Sequence, residues 1–150
     1  MALELEVIMR AFMIVGMAAS LSACAATPAQ QARAERNEAA AVLAADGQTF
    51  GDGARVTGPA RTCVPLAQIR NSRVRSDRVI DFSNGGSRRG FRVVLSQDCP
   101  QLGFEQRFSY ATSLTQLCAQ DIITVLQSPP ISRGASCGLA PFTPVEFARR

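Results

Sequence analysis

Four carboxylates, Asp81, Asp98, Glu105 and Asp121, and one serine in a glycine-rich pentapeptide are the side chains of this 150-residue chain with the means to do chemistry. General acid and base work needs two acids to converge with separated pKa values, as in a carboxylate-dependent hydrolase. Nothing in their spacing shows such convergence. Asp121 stands out because it follows Cys118 closely and directly precedes the apolar run Ile122-Ile123-Thr124-Val125-Leu126. A carboxylate there is expected to accept backbone N–H bonds at a strand entry. Gly134-Ala135-Ser136-Cys137-Gly138 matches the nucleophile elbow G-x-S-x-G letter for letter. An elbow needs a strand before it, a helix after it and a histidine to take the serine proton. Here Pro129-Pro130 precedes, Pro141 and Pro144 follow, and the chain has no histidine, so the pentapeptide is expected to be a turn presenting a cysteine. The lack of histidine also removes the commonest general base and metal ligand. No catalytic residue is assigned, no cofactor is expected, and the chain reads as a protein that is not an enzyme.

Charge offers a different chemistry. All 16 basic residues are arginine, and seven of them concentrate between Arg70 and Arg92. Arg70, Arg73, Arg75 and Arg78, followed by Arg88, Arg89 and Arg92, form a candidate anion-binding patch for lipid headgroups, phosphates or an acidic partner. The competing expectation is a solvated face that protects strand edges. Nucleic acid is not expected as a partner, because no aromatic residues interleave with these arginines as stacking platforms.

The N-terminal stretch fixes the expected compartment. Residues 9–24, MRAFMIVGMAASLSAC, have a basic start, an apolar run over residues 11–19 and small residues before a cysteine, the pattern of a secretory signal. Leu21-Ser22-Ala23-Cys24 resembles the lipobox of bacterial lipoproteins, which implies lipidation of Cys24 and loss of residues 1–23. Ala25 after the cysteine resembles the sorting signal for the outer membrane. The apolar run falls short of the ~20 residues a membrane span needs. Glu4 and Glu6 make the start acidic, which points to Met9 as the initiator. Without Arg10, Glu4 and Glu6 the mature chain carries 15 Arg against 10 acids, a net of +5.

With Cys24 as the lipid site, Cys63, Cys99, Cys118 and Cys137 remain, an even set in a small exported domain. Three connectivities exist, and the favoured one pairs Cys99 with Cys118 across a local loop and Cys63 with Cys137 at the ends of the folded unit. A Cys₄ zinc site is set aside because the cysteines lie 36, 19 and 19 residues apart with no C-x₂-C pair, so no metal is expected.

The elements that must position these residues are short. Residues 28–45 are rich in helix formers but have no broad apolar face, and Asp46 to Pro59 is dense in glycine and polar residues. Together, residues 24–60 are expected to be a partly helical tether and linker, with a disulfide-linked β domain over residues 61–150. Cys63 to Ile69 is a first apolar segment in which Pro65 demands an edge. Arg73-Val74-Arg75, a turn at Ser76-Asp77 and Val79-Ile80-Asp81-Phe82 read as a hairpin. Asn84-Gly85-Gly86-Ser87 is a turn, and Phe91, Val93 and Leu95 mark the next strand. Phe104, Gln106, Phe108 and Tyr110 alternate with Glu105, Arg107 and Ser109 as a strand with one wet face, and Asp121 to Leu126 reads as a buried strand. The expected fold is all-β, a small antiparallel meander forming a barrel or sandwich.

Cys63-Val64-Pro65-Leu66, Asp77 to Phe82, Cys99-Pro100-Gln101-Leu102, Phe108-Ser109-Tyr110, Leu117-Cys118, Asp121 to Val125 and Cys137-Gly138-Leu139 resemble a family of uncharacterised, exported Gram-negative proteins, over roughly residues 61–142. That family is a domain of unknown function. The resemblance implies a compartment and a disulfide framework but no activity. The expectation is a non-catalytic envelope lipoprotein on the periplasmic face of the outer membrane, anchored in the membrane by its lipid and binding anionic envelope components or an envelope protein. The alternatives are a carboxylate-dependent periplasmic hydrolase and an inhibitor of an incoming enzyme that would present residues 128–136.

Overall fold

The computed structural model describes residues 26–112 and 114–149. Residues 33–150 form one compact unit. Helix α1 (Pro28–Ala39) starts in a reciprocal cap: Thr27 donates its backbone N–H to Gln30 Oε1 at 2.8 Å, and its hydroxyl accepts the Gln30 N–H at 3.3 Å. Pro28 suits the first helical position. None of its residues is buried, as a sequence without an apolar face requires.

The rest is all-β and antiparallel. The strands are β1 (Arg55–Val56), β2 (Cys63–Pro65), β3 (Asn71–Val74), β4 (Val79–Ser83), β5 (Arg89–Val94), β6 (Phe108–Tyr110), β7 (Gln116–Cys118), β8 (Ile122–Gln127), β9 (Ser132–Gly138) and β10 (Thr143–Glu146). They form a five-stranded sheet in the order β1-β10-β5-β4-β3, a pair β2-β7, and a three-stranded sheet β6-β8-β9. Among the described residues no sheet closes into a barrel, so the sandwich-like form of the expected meander is the one adopted.

The hairpin β3–β4 and the turn into β5 stand where local chemistry puts them. Gly85 and Gly86 have φ of 47° and 59°, a region open to glycine at little steric cost. Gly90 is required for a different reason: a Cβ there would stand 2.1 Å from Phe82 O and 2.8 Å from the Phe147 ring. Pro65 lies in the small β2-β7 pair, where its missing N–H is tolerated.

One core joins the three sheets. Ile80, Phe82, Phe91 and Val93 of the large sheet pack with Val64 and Leu117 of the pair and with Ile123 and Val125 of β8. A chain of rings runs through it, Phe142 to Phe82 at 5.7 Å, Phe82 to Phe108 at 6.2 Å and Phe108 to Tyr110 at 6.4 Å. Edge-on and tilted contacts of this kind add to the stabilisation from burial alone.

Three expectations are corrected. First, the domain does not begin at residue 61. Phe50 and Ala54 are buried with Val145 in a second cluster, and β1 pairs with β10 through Arg55↔Glu146 and Val56↔Val145. Residues 40–57 thus form a strap over the second face of the large sheet, and the polar composition that reads as a linker conceals an apolar spacing of Phe50, Ala54 and Val56. Second, Phe104 is not on a strand. Leu102–Glu105 is a short helix, α2, in which Leu102 is fully buried and Phe104 is 86% exposed. The Asp77 carboxylate accepts the Gly103 N–H at 2.7 Å and Asp77 O accepts the Cys99 N–H at 2.8 Å, which pins this turn and outweighs a short alternating pattern. Third, residues 134–138 belong to strand β9 rather than to a turn.

The cysteine pairing is also corrected: the bonds are Cys63–Cys118 and Cys99–Cys137, not Cys99–Cys118 and Cys63–Cys137. Cys63 lies directly opposite Cys118 in the β2-β7 ladder, with Cα atoms 4.0 Å apart. Cys137 on β9 reaches back to Cys99 beside α2, 6.0 Å away. Local loop length misleads here because the chain between Cys99 and Cys118 leaves through α2 and β6 before it returns.

Candidate functional site

The strongest electrostatic feature lies under the strap. Asp81 on β4 and Arg92 on β5 are directly opposite in the ladder and point to the face away from the main core. Arg92 is completely buried. Its Nε donates to Asp81 Oδ1 at 2.8 Å, its Nη2 to Asp81 Oδ2 at 3.1 Å and to Asp52 Oδ2 at 2.8 Å, and its Nη1 to Asp52 Oδ1 at 2.8 Å and to Ala40 O at 3.2 Å. Phe50 covers the guanidinium at 4.7 Å. Arg75 adds a second cation, 2.7 Å from Asp52 and 3.6 Å from Asp81. Two cations and two anions therefore neutralise one another in a closed space. Burial pushes the Asp52 carboxyl up, but the hydrogen bonds and charge of Arg92 outweigh it and hold the group below its ordinary range. Burial likewise opposes the charge on Arg92, and its bonds to Asp52 and Asp81 reverse that and raise it.

Asp52 carries no local sign of a site residue, because it sits in the glycine-rich segment Gly51-Asp52-Gly53. The only signal for it is its place between Phe50 and Ala54, which bury themselves on either side. Two carboxylates do converge here, but on a guanidinium sealed from solvent, which suits them to hold chain segments and not to move protons.

The other predicted acids are apart. Asp121 Oδ2 accepts the Cys118 N–H at 2.7 Å, the strand-entry role expected of it. Glu105 lies 3.8 Å from Arg107, and Asp98 is exposed in the loop after β5. Ser136 lies 3.1 Å from the Thr124 hydroxyl on a strand with no helix after it. Residues 128–131 are the turn into β9, and the rest of the segment 128–136 is strand.

The four candidate anion-binding arginines do not converge. Arg75 turns inward to Asp52 and Asp81, and Arg78 donates its Nε to Leu95 O at 2.9 Å, while Arg70 and Arg73 are exposed. Arg92, expected in the same patch, is the buried centre of the cluster, because alternation along β5 turns it under the strap. Arg88 pairs with Glu146 at 3.0 Å.

A separate cleft of about 580 Å³ lies on the small sheet, lined by Ser109, Tyr110, Asp121, Ile122, Thr124 and Arg133 among others. It is large enough for a small ligand. It holds one acid, Asp121, and not the converging pair that hydrolysis needs. Among the described residues no group of three His, Cys, Asp or Glu could hold a metal, and no helix is long and apolar enough to cross a membrane. Cys24, the expected lipidation site, and residues 1–23 lie outside the described residues. No family model, curated protein or solved structure matches the chain.

Proposed function

We propose that this chain is a non-catalytic lipoprotein of the cell envelope, anchored through Cys24 at the periplasmic face of the outer membrane, whose disulfide-linked β domain binds an envelope component. The observation that carries this reading is the employment of the acids. Asp52 and Asp81 are committed to Arg92, Asp77 to the Gly103 N–H and Asp121 to the Cys118 N–H, so no two carboxylates face one another across the cleft. The pairing of all four domain cysteines supports an oxidising compartment. The lipobox-like Leu21-Ser22-Ala23-Cys24 supports the anchor. Intact-mass analysis of the membrane fraction, followed by affinity capture of partners from envelope extract, tests the reading. An acylated chain beginning at Cys24 is expected. A chain that begins before Cys24, or one without acyl mass, contradicts it.

A further inference from the structure

Among the described residues Arg133 has no ion pair, and it stands exposed on the outer face of the three-stranded sheet beside a row of hydroxyls. Strand register fixes the arrangement. Ser109, Thr124 and Ser136 lie side by side across β6, β8 and β9, with the Thr124 and Ser136 hydroxyls 3.1 Å apart. One pair further along the sheet, Arg133 stands opposite Leu126, whose N–H is bonded to Arg107 O on the other flank. At the opposite end Ile122 is 54% exposed on this face, whereas Tyr110, paired with the buried Ile123 and packed 6.4 Å from Phe108, turns its ring to the core side. Asp121, next to Ile122, uses Oδ2 for the Cys118 N–H, and among the described residues its Oδ1 accepts no hydrogen bond.

We propose that this face is a binding site for an acidic saccharide, a deepening of the function proposed above and resting on it. Each end of the cleft matches one part of such a ligand. Arg133 supplies a charge-assisted bond to a carboxylate or phosphate substituent. Ser109 and Thr124 offer donors and acceptors at strand spacing to ring hydroxyls. Ile122 gives apolar contact to the C–H face of a sugar, and Asp121 accepts a hydrogen bond from a ring hydroxyl. A bilayer surface fits less well, because Asp121 would face its phosphates and a flat surface would leave the cleft unfilled.

The test uses the full acylated chain in neutral detergent micelles at low salt, titrated with trigalacturonate, with uncharged chitotriose and with micelles doped with phosphatidylglycerol. Trigalacturonate is expected to perturb the backbone resonances of Ser109, Thr124 and Arg133, with chitotriose much weaker. Arg133→Gln should weaken trigalacturonate by about tenfold to a hundredfold, as removal of a charged hydrogen bond does. Ile122→Ala should cost about threefold to tenfold. The double variant Arg70→Gln/Arg73→Gln, on the remote hairpin, should leave binding unchanged. Equal binding of chitotriose, binding of doped micelles alone, loss of affinity on the hairpin change, or no perturbation by trigalacturonate would each overturn the site. If trigalacturonate fails while envelope capture returns a partner, the site falls and the broader reading stands. If the chain proves unacylated, the broader reading falls whatever the saccharide does.

Discussion

The two sides of this domain are held together by different means. The strap, residues 40–57, is fixed to the large sheet without any cystine, through Arg92, Asp52, Asp81 and Arg75 and a small cluster around Phe50, Ala54 and Val145. The pair β2-β7 and the small sheet carry three of the four bonded cysteines and no buried ion pair among the described residues. The one charged side chain in these strands, Arg133, is exposed. Short sheets bury too little apolar surface to order themselves, and covalent closure supplies what the core lacks. A closed ion cluster does something else: it makes the position of the strap specific, because any misplacement leaves a buried charge unpaired. Buried charge is therefore architectural on one side, and exposed charge is available for binding on the other.

The largest expected effect breaks the strap side. Arg92→Met leaves Asp52 and Asp81 buried without their main partner and should cost about 3–5 kcal/mol in urea unfolding. The triple change Arg92→Met/Asp52→Asn/Asp81→Asn should recover much of that loss, since removing the charges together avoids the unpaired state. Recovery would separate the cluster's role in specificity from any net stabilisation.

On the other side, the bonds close loops of 55 and 38 residues, for which the chain-entropy model gives about 4 kcal/mol each. Cys63→Ser should free the Cys118 thiol, leave Cys99 and Cys137 bonded and lower the melting temperature markedly. Peptide mapping without reduction reads the pairing; a Cys99–Cys118 peptide would contradict the β2-β7 ladder.

Acid should separate the sides more gently. The folded Asp52 carboxyl lies below its ordinary value of 3.8, so the stability it contributes is present above that pH and is lost as pH falls through the folded value. Arg92, Arg75 and Asp81 are the charged groups that face it. The wild-type chain should therefore lose stability more steeply than Asp52→Asn on acidification below about pH 4, where an unfolded aspartate begins to bind protons. Parallel melting curves for the two chains would remove Asp52 from the account.

The smallest effect concerns outward charge. Arg133→Gln and Arg70→Gln should each shift stability by no more than about 0.5 kcal/mol, as exposed substitutions away from special features do. A larger loss would place either residue among the architectural charges.

This division also explains what the sequence could announce. The hairpin β3–β4, the glycine turn and β5 are local, so turn residues and alternation identify them. Asp121 betrays its role through its position before an apolar run. The strap and the cystines depend on partners far along the chain: Asp52 meets Arg92 across 40 residues, and Cys63 meets Cys118 across 55. A polar, glycine-rich segment gives no local sign that one aspartate and one phenylalanine will be buried. Likewise, Phe104 continues the alternation of Phe108 and Tyr110, yet Asp77, which caps its helix, is 26 residues from Gly103.

Native-state hydrogen exchange tests most directly whether the buried charges hold the strap. The Phe50 N–H is bonded to Ala54 O, the Val56 N–H to Gln48 O and the Thr57 N–H to Pro144 O. These amides should be protected in the wild-type chain and should exchange much faster in Asp52→Asn, while the amides of β8 paired to β9 keep their protection. Rapid exchange of all three in the wild-type chain, or unchanged protection in Asp52→Asn, would contradict the account.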